Sequence, residues 1–309
     1  MKTTVERWAL AIILIVITAC SAKEQAIDPA THEAEILQWR IERLASLKSP
    51  NGYLNLVGLY WLDEGRIRVG SAVDNDIVFP ANAAPYIGEI QTSADAVVFE
   101  ANADADVRYE DIPVRSILIS DDTTVNPVAL THESFGWTII KRDGRFALRL
   151  RDFEHPAIAA FPPFEYFPIN AESRVTATLQ RFDEPKILDV KTTIEGLGYR
   201  PESPGTVVFD LGGKTHELEA YASGDELFFV FADATTGRET YPAGRFLYAA
   251  VPGEDGKTIL DFNRAYSPPC AFNAFGTCPV ASQRNRLQAR VEAGEKYDPA
   301  VHLVPDGYH

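Results

Sequence analysis

Sulfur and histidine are scarce in this chain of 309 residues, which holds three cysteines, one methionine and six histidines. The histidines are scattered, so their spacing supports no Ser-His-Asp arrangement. The chain also lacks a Gly-x-Ser-x-Gly nucleophile elbow and a His-Glu-x-x-His zinc pair. Gly256-Lys257-Thr258 ends like a phosphate-binding loop, but Val251 stands where that loop needs its first glycine. We therefore expect no cofactor and no metal, while catalysis itself stays open.

Basic residues are also few, because 29 Lys and Arg face 44 Asp and Glu and give a net charge of −15. Nucleic acids and anionic membrane surfaces reward a basic protein surface. The charge balance therefore argues against a nucleic-acid partner. A hydrophobic content of 46% with 11% aromatic residues allows a full core and excludes global disorder.

The first twenty residues are typical of a bacterial lipoprotein signal. Positive charge precedes an apolar run that starts at Trp8 and, counted through Ala19, has 12 residues. This is shorter than the roughly 20 residues of a membrane-spanning helix. Ile17-Thr18-Ala19-Cys20 resembles a lipobox, in which the cysteine thiol receives diacylglycerol. Ser21 stands where inner-membrane retention signals place Asp, which implies a lipid anchor in the outer membrane, facing the periplasm of a Gram-negative cell. The alternative is an ordinary secretory signal in which Cys20 is accidental.

The two remaining cysteines, Cys270 and Cys278, are eight positions apart. In an oxidising compartment a disulfide between them is the default. The alternatives are a reactive thiol or a metal site, and no further cysteine or nearby histidine supports either of them.

The pattern of the remaining chain predicts a mainly β protein. We assign 1–19 to the signal peptide and 20–31 to a tether. Residues 32–130 are predicted to form a short helix and a β-sandwich, and 131–309 an antiparallel barrel-like β domain with a C-terminal Cys loop. The helix runs from His32 to Lys48, where apolar residues approximate one helical stripe. A succession of hairpins between 206 and 266 indicates the barrel.

One hairpin can be derived almost completely. Asp143-Gly144 favours a type I′ turn and pairs Arg142 with Arg145. Since side chains alternate along a strand, one face is apolar and must be core; it carries Phe135, Trp137, Ile139, Phe146, Leu148 and Leu150. The opposite face is cationic and carries Arg142, Arg145, Arg149 and Arg151.

Two stretches resemble known families. The segment from Gly70 to Val78, with Asn75-Asp76-Ile77, is similar to forkhead-associated (FHA) domains, which are β-sandwiches. Ser71 stands where that family has a phosphate-contacting arginine, so the resemblance implies a structural unit and not phosphothreonine recognition.

The second resemblance is carried by Asp261–Phe272, Thr277-Cys278-Pro279 and Asn285-Arg286-Leu287. These match the signature of an uncharacterised bacterial family classed as a domain of unknown function, with Ser267 replacing its usual asparagine. The family implies a fold and shared residues but no reaction.

Polar residues in and around these blocks form the predicted ligand site, which we assign to Arg149, Arg151, Asp152, Asp233, Thr240, Tyr241, Arg245, Asp261, Asn263, Arg264 and Tyr266. The functional hypothesis is a pocket in which arginines bind a small polar or anionic ligand, or a partner. A first alternative is a metal-independent hydrolase or isomerase that uses Asp152, Asp233 or Asp261 as acid or base. A second is a purely structural envelope protein, in which the same residues close the barrel and fix the Cys270–Cys278 loop.

Overall fold

The computed structural model describes residues 27–302. The predicted signal peptide, Cys20 and most of the predicted tether lie outside the described residues. The described part is mainly β, as predicted, and contains three α-helices and nineteen strands. No helix within 27–302 combines the length and the hydropathy that a membrane crossing requires.

Helix α1 (Pro29–Lys48) precedes all of the strands. Its N-terminus is capped by Asp28, whose carboxylate accepts a hydrogen bond from the Thr31 amide at 3.0 Å. The helix lies on the C-terminal part of the protein, where His32 Nε2 is 2.7 Å from Asp261 Oδ2. The predicted helix is thus confirmed and begins three residues earlier than expected.

The N-terminal β part is a sandwich of two sheets around one apolar core. Its strands are β1 (Leu56–Trp61), β2 (Gly65–Gly70), β3 (Ile77–Val78), β4 (Gly88–Thr92), β5 (Val97–Ala101), β6 (Arg108–Tyr109), β7 (Ile112–Pro113), β8 (Ser116–Ile119), β9 (Ala129–His132), β10 (Phe135–Arg142) and β11 (Arg145–Asp152). One sheet has the order β1-β11-β10-β9-β6-β7 and the other β3-β2-β4-β5-β8. Trp137 fills the centre, with its ring centroid 5.9 Å from Phe79 and 5.4 Å from Phe99.

The hairpin β10–β11 has the register that its turn predicts, with Arg142 opposite Arg145 and Thr138 opposite Arg149. All six residues of its predicted apolar face are buried in the sandwich core. The sequence placed this hairpin in the second domain, 131–309. In the structure β11 pairs with β1, and the apolar face of the hairpin completes the core of the sandwich.

The C-terminal β part is a six-stranded antiparallel sheet in the order β18-β17-β16-β15-β12-β19. Its strands are β12 (Arg174–Ile187), β15 (Glu202–Leu211), β16 (Lys214–Ser223), β17 (Glu226–Phe231), β18 (Arg245–Ala250) and β19 (Lys257–Asp261). The edge strands approach each other, and Thr258 Oγ1 donates to Ala250 O at 2.7 Å. The sheet is therefore nearly closed and barrel-like, as predicted. A small pair, β13 (Val190–Lys191) with β14 (Gly198–Tyr199), and two short helices, α2 (Pro156–Ala160) and α3 (Pro299–His302), complete the described elements.

The predicted last strand, 258–266, is shorter than expected. Strand β19 ends at Asp261, and residues 262–264 form a 3₁₀ turn. Asp261 ends the strand because its carboxylate accepts the Asn263 amide at 3.1 Å and so caps the turn. The alternation expected for Asp261, Asn263 and Arg264 on a strand is therefore lost.

The predicted disulfide is present. Cys270 and Cys278 are bonded, with their Cα atoms 6.1 Å apart. The loop that they close lies against 192–193, where Thr193 N donates to Cys278 O at 2.9 Å.

Candidate functional site

The predicted site residues do not form one pocket. The structure distributes them over the interior of the barrel, the contact with helix α1 and the outer face of the β10–β11 hairpin.

Asp233, Thr240 and Arg245 belong to a buried network. Arg245 is 1% exposed, and its Nη2 donates to Asp233 Oδ1 at 3.3 Å and to Val291 O at 2.9 Å. Its Nη1 donates to Ala293 O. Burial lowers the pKa of Arg245, and the Asp233 charge opposes that shift. The network thus fixes the chain around 291–293 inside the barrel. Arg245 is inaccessible to a ligand, because it is buried and its Nη atoms already donate to protein acceptors.

The other Asp233 oxygen completes this network. Oδ2 accepts the Val291 amide at 2.7 Å, and Thr235 Oγ1 donates to Oδ1 at 2.9 Å. Thr240 joins the network through Thr235, because the hydroxyl oxygens of the two residues are 3.0 Å apart. Asp233 therefore has its acceptor positions filled by the protein.

Asp261 and Asn263 join the barrel to α1 and to the preceding loop. Besides contacting His32, Asp261 accepts the Asn263 side-chain amide at 2.8 Å. The Asn263 side chain also bonds both backbone groups of Asn170, each at 2.9 Å. Tyr241, separately, donates to Cys270 O at 3.0 Å. These side chains are structural connectors.

Arg264 and Tyr266 line a pocket of about 450 Å³ between α1 and strands β17 and β18. Arg264 Nη2 is 3.5 Å from Glu35 Oε2 on the helix. Burial raises the pKa of the Tyr266 hydroxyl. These two predicted residues are therefore at an accessible cavity.

Arg149 and Arg151 lie on the face of β11 that points away from the sandwich core. The Arg151 guanidinium donates to Asn55 Oδ1 at 2.7 Å and to Gly52 O. Among residues 27–302, the buried Arg149 Nε has no hydrogen-bond acceptor, and neither guanidinium has a carboxylate in an ion pair. Asp122 acts on Arg149 only from a distance, because Arg142 binds both of its oxygens, at 2.9 and 2.7 Å.

Both arginines are half-buried. Burial and, to a smaller extent, the neighbouring Arg142 lower the pKa of Arg149, and the Tyr53 hydroxyl and Asp122 oppose that shift. Burial and the neighbouring Arg149 together lower the pKa of Arg151 to about 10. The charge of Arg149 thus adds to the effect of burial on Arg151.

Asp152 follows directly but is almost fully buried, and its Oδ1 accepts the Glu154 amide at 3.0 Å. Because side chains alternate along β11, it points to the other face of the strand from Arg151.

Sequence reasoning missed several residues that complete these sites. Tyr53 and Asn55 follow Pro50-Asn51-Gly52, which indicates only a turn. His32 and Arg43 lie on α1, and no motif there marks them. Within 27–302, no group of three or more His, Cys, Asp or Glu is placed to hold a metal ion.

Comparison with known proteins gives a family but no activity. Residues 159–296 match the family model described as "Protein of unknown function (DUF1684)". A solved structure of an uncharacterized protein from Haloarcula marismortui is 32% identical to this chain, covers 45% of this chain and 78% of its own, and has a TM-score of 0.38. Among curated proteins, none matches.

FHA domains are also among the solved structures to which the chain is similar. A structure described for phosphothreonine-dependent FHA domain interactions is 13% identical over 30% of this chain and 92% of its own, with a TM-score of 0.21. The FhaA FHA domain, solved in complex with the intracellular domain of Rv3910, is 14% identical over 30% of this chain and 97% of its own, with the same TM-score.

The buried Asp233–Arg245 pair generates a stability prediction. Asp233→Asn leaves Arg245 charged and uncompensated in the interior, so we expect the free energy of unfolding to fall by about 3–5 kcal/mol. Adding Arg245→Met should recover part of that loss, because it removes the orphaned charge. Urea denaturation of both variants checks this. A loss below about 1 kcal/mol for Asp233→Asn would show that the pair does not stabilise the fold.

Proposed function

Because this chain belongs to the DUF1684 family, which is of unknown function, its activity must be inferred from its own residues, and we propose that it binds a small anionic ligand through Arg149 and Arg151. The observation that carries the proposal is the pair of desolvated guanidinium groups that lack a carboxylate within residues 27–302. The proposal keeps the predicted ligand chemistry and moves the site from the barrel interior to the sandwich face.

Burying an uncompensated charge is costly, and proteins pair such charges almost without exception. Three other arginines follow the rule, whereas Arg40, which has no ion pair within residues 27–302, lies over the Tyr166 ring at 4.1 Å from its centroid and is acted on by the Glu295 charge. Arg245 has Asp233, Arg142 has Asp122 and Arg43 has Glu295. Carboxylates are also plentiful, with 44 Asp and Glu in the sequence. An unpaired Arg149 beside Arg151 is therefore best explained by an anion that arrives from solution.

The geometry favours a carboxylate or a phosphate ester. A guanidinium presents a planar fork of donors that matches the oxygens of either group. Arg151 donates a hydrogen bond to Asn55, which orients the guanidinium group. Because Asn55 is neutral, it does not compensate the positive charge of Arg151. The Tyr53 hydroxyl is close enough to act on the pKa of both arginines. A tyrosine hydroxyl there can donate a further hydrogen bond to an anionic oxygen.

No specific observation favours the catalytic alternative. Asp233 and Asp261, two of its three candidate acids, are occupied by hydrogen bonds inside the fold. The purely structural alternative makes a distinct claim, namely that no anion stabilises the protein through Arg149.

Arg149→Met tests the proposal. In wild type, sodium phosphate or sodium citrate should raise Tm above a sodium chloride control of equal ionic strength. Saturation at a hundred times Kd corresponds to about 2.7 kcal/mol. Arg149→Met should lose this response and should be at least as stable as wild type without anion, because an unpaired buried charge is removed. Differential scanning calorimetry measures both effects.

The matched control is Arg145→Met, because Arg145 lies on the same strand and face but is exposed and stacks on the Trp61 ring at 4.4 Å. It should keep the anion response. An anion response that persists in Arg149→Met, or that is absent from wild type for both salts, contradicts the proposal and favours the structural alternative.

The anion affinity should also depend on pH with a defined sign. The pKa of Arg151 is lowered to about 10 in the folded protein, so this cation is fully charged at neutral pH and is lost as pH rises through 10. Phosphate affinity should be constant between pH 8 and 9. It should then fall by up to about tenfold per pH unit above pH 10, because the bound state needs the proton. Isothermal titration calorimetry across this range measures the slope; a flat profile to pH 11 would exclude Arg151 from the site.

We propose in addition that the protein is anchored in the envelope by lipid on Cys20, which lies outside the described residues. Expressed in a Gram-negative host, the wild-type chain should fractionate with the outer membrane and Cys20→Ser should be found in the soluble periplasm. Mass spectrometry of the N-terminal peptide should find diacylglycerol on Cys20. Equal membrane association of both chains would contradict the anchor.

A further inference from the structure

The pocket between α1 and the barrel has a different chemistry from the arginine face. Its volume is about 450 Å³, and its walls include the aromatic side chains of Trp39, Tyr248 and Tyr266. The Trp39 and Tyr266 rings are 6.3 Å apart and inclined at 54°. The Tyr248 ring is stacked on Phe228 on one side, at 4.8 Å, and the residue remains 38% exposed. Aromatic faces thus border a cavity that solvent can enter.

The two arginines of this pocket already have counter-charges. Arg43 Nε donates to Glu295 Oε1 at 2.9 Å, Arg43 Nη2 donates to Ser267 O at 2.9 Å, and the guanidinium lies 4.4 Å from the Tyr266 ring centroid. Glu295 is fully buried behind it, and its second oxygen accepts the Ser267 amide at 2.8 Å. Arg264 faces Glu35. Neither arginine adds uncompensated positive charge to the cavity.

The carboxylates of the pocket have no such partners. Glu42 accepts one hydrogen bond, from Gln38 Nε2 at 2.9 Å, and Glu226 begins strand β17 at the rim. Within residues 27–302, neither forms an ion pair with Lys, Arg or His. After the arginines are paired, the pocket retains two negative charges beside aromatic rings.

We propose that this pocket binds an organic ammonium group, such as the headgroup of a choline-type or other alkylated amine. The electron-rich faces of Trp and Tyr attract such cations, and the attraction strengthens where water is excluded. Glu42 and Glu226 supply the counter-charge, and the strongly acidic protein favours the approach of a cation. Trp39 and Tyr248 are the binding faces, because Arg43 already occupies one face of Tyr266.

Choline and its neutral isostere 3,3-dimethylbutan-1-ol test this directly. Both have the same shape, and only choline is charged. Titrated into the full chain and followed by calorimetry, choline should bind at least about tenfold more tightly than the alcohol. Equal affinity of the two, no choline binding, or displacement of choline by phosphate would overturn the proposal.

Substitutions test which residues form the choline site. Glu226→Gln should weaken choline binding about three- to tenfold and leave the alcohol unchanged, whereas Glu217→Gln, an exposed carboxylate on the neighbouring strand β16, should change neither. Trp39→Phe keeps an aromatic ring for folding and should weaken choline binding through its poorer cation attraction. Arg149→Met should leave choline binding intact, so failure of this site and failure of the anion site are distinguishable. Unchanged choline affinity in both Glu226→Gln and Trp39→Phe would place any binding elsewhere.

Discussion

A guanidinium group withdrawn from water must find acceptors for its protons and a counter-charge, and this requirement organises the protein. Arg245 meets it with Asp233 and two backbone carbonyls, and so holds the chain around 291–293 against the barrel. Arg43 meets it with Glu295 and Ser267 O, and so holds helix α1 against the same segment. Since each pair is costly to break and weak as a net source of stability, its main effect is to fix one arrangement of these elements. The helix, the barrel and the irregular C-terminal segment therefore have a defined placement without a continuous sheet joining them.

Arg149 and Arg151 meet this requirement only in part. The fold provides Arg151 with the neutral acceptors Asn55 and Gly52 O, and leaves Arg149 Nε with none among the described residues. An uncharged side chain in the place of Arg149 would have a lower desolvation cost. Stability therefore does not explain this arrangement. Binding sites commonly sacrifice stability in this way, because the groups that await a ligand are unsatisfied without it. The difference lies in the carboxylate partner and not in Nε, because Arg245 and Arg43 each have a carboxylate while Arg245 Nε, like Arg149 Nε, has no acceptor within residues 27–302.

Much of the local structure could be predicted from the sequence, and much less of its assembly. The register of the β10–β11 hairpin follows from Asp143-Gly144, and alternation correctly assigned Arg149 and Arg151 to the face away from the core. The pairing of β11 with β1 could not be predicted, because it joins segments almost ninety residues apart and depends on which apolar faces meet. Similarly, the sequence offered Asp233 and Arg245 as site residues but could not show that they would satisfy each other. Tyr53 and Asn55 come from a loop that carries no chemical motif, and only the folded chain brings them to the arginines.

The division between structure and function also runs along the chain. The segment that matches the family model, 159–296, contains the Asp233–Arg245 pair, Asn263 and the disulfide, which all serve the fold. Arg149 and Arg151 lie outside it, and the pocket beside α1 is shared, with Trp39 and Glu42 outside and Glu226, Tyr248 and Tyr266 inside. The family segment therefore contains the barrel, while the groups of the two proposed sites lie before it or on both sides of its boundary. Under the two proposals, the anion site therefore precedes the family segment, whereas the ammonium pocket takes its groups from both helix α1 and the family segment.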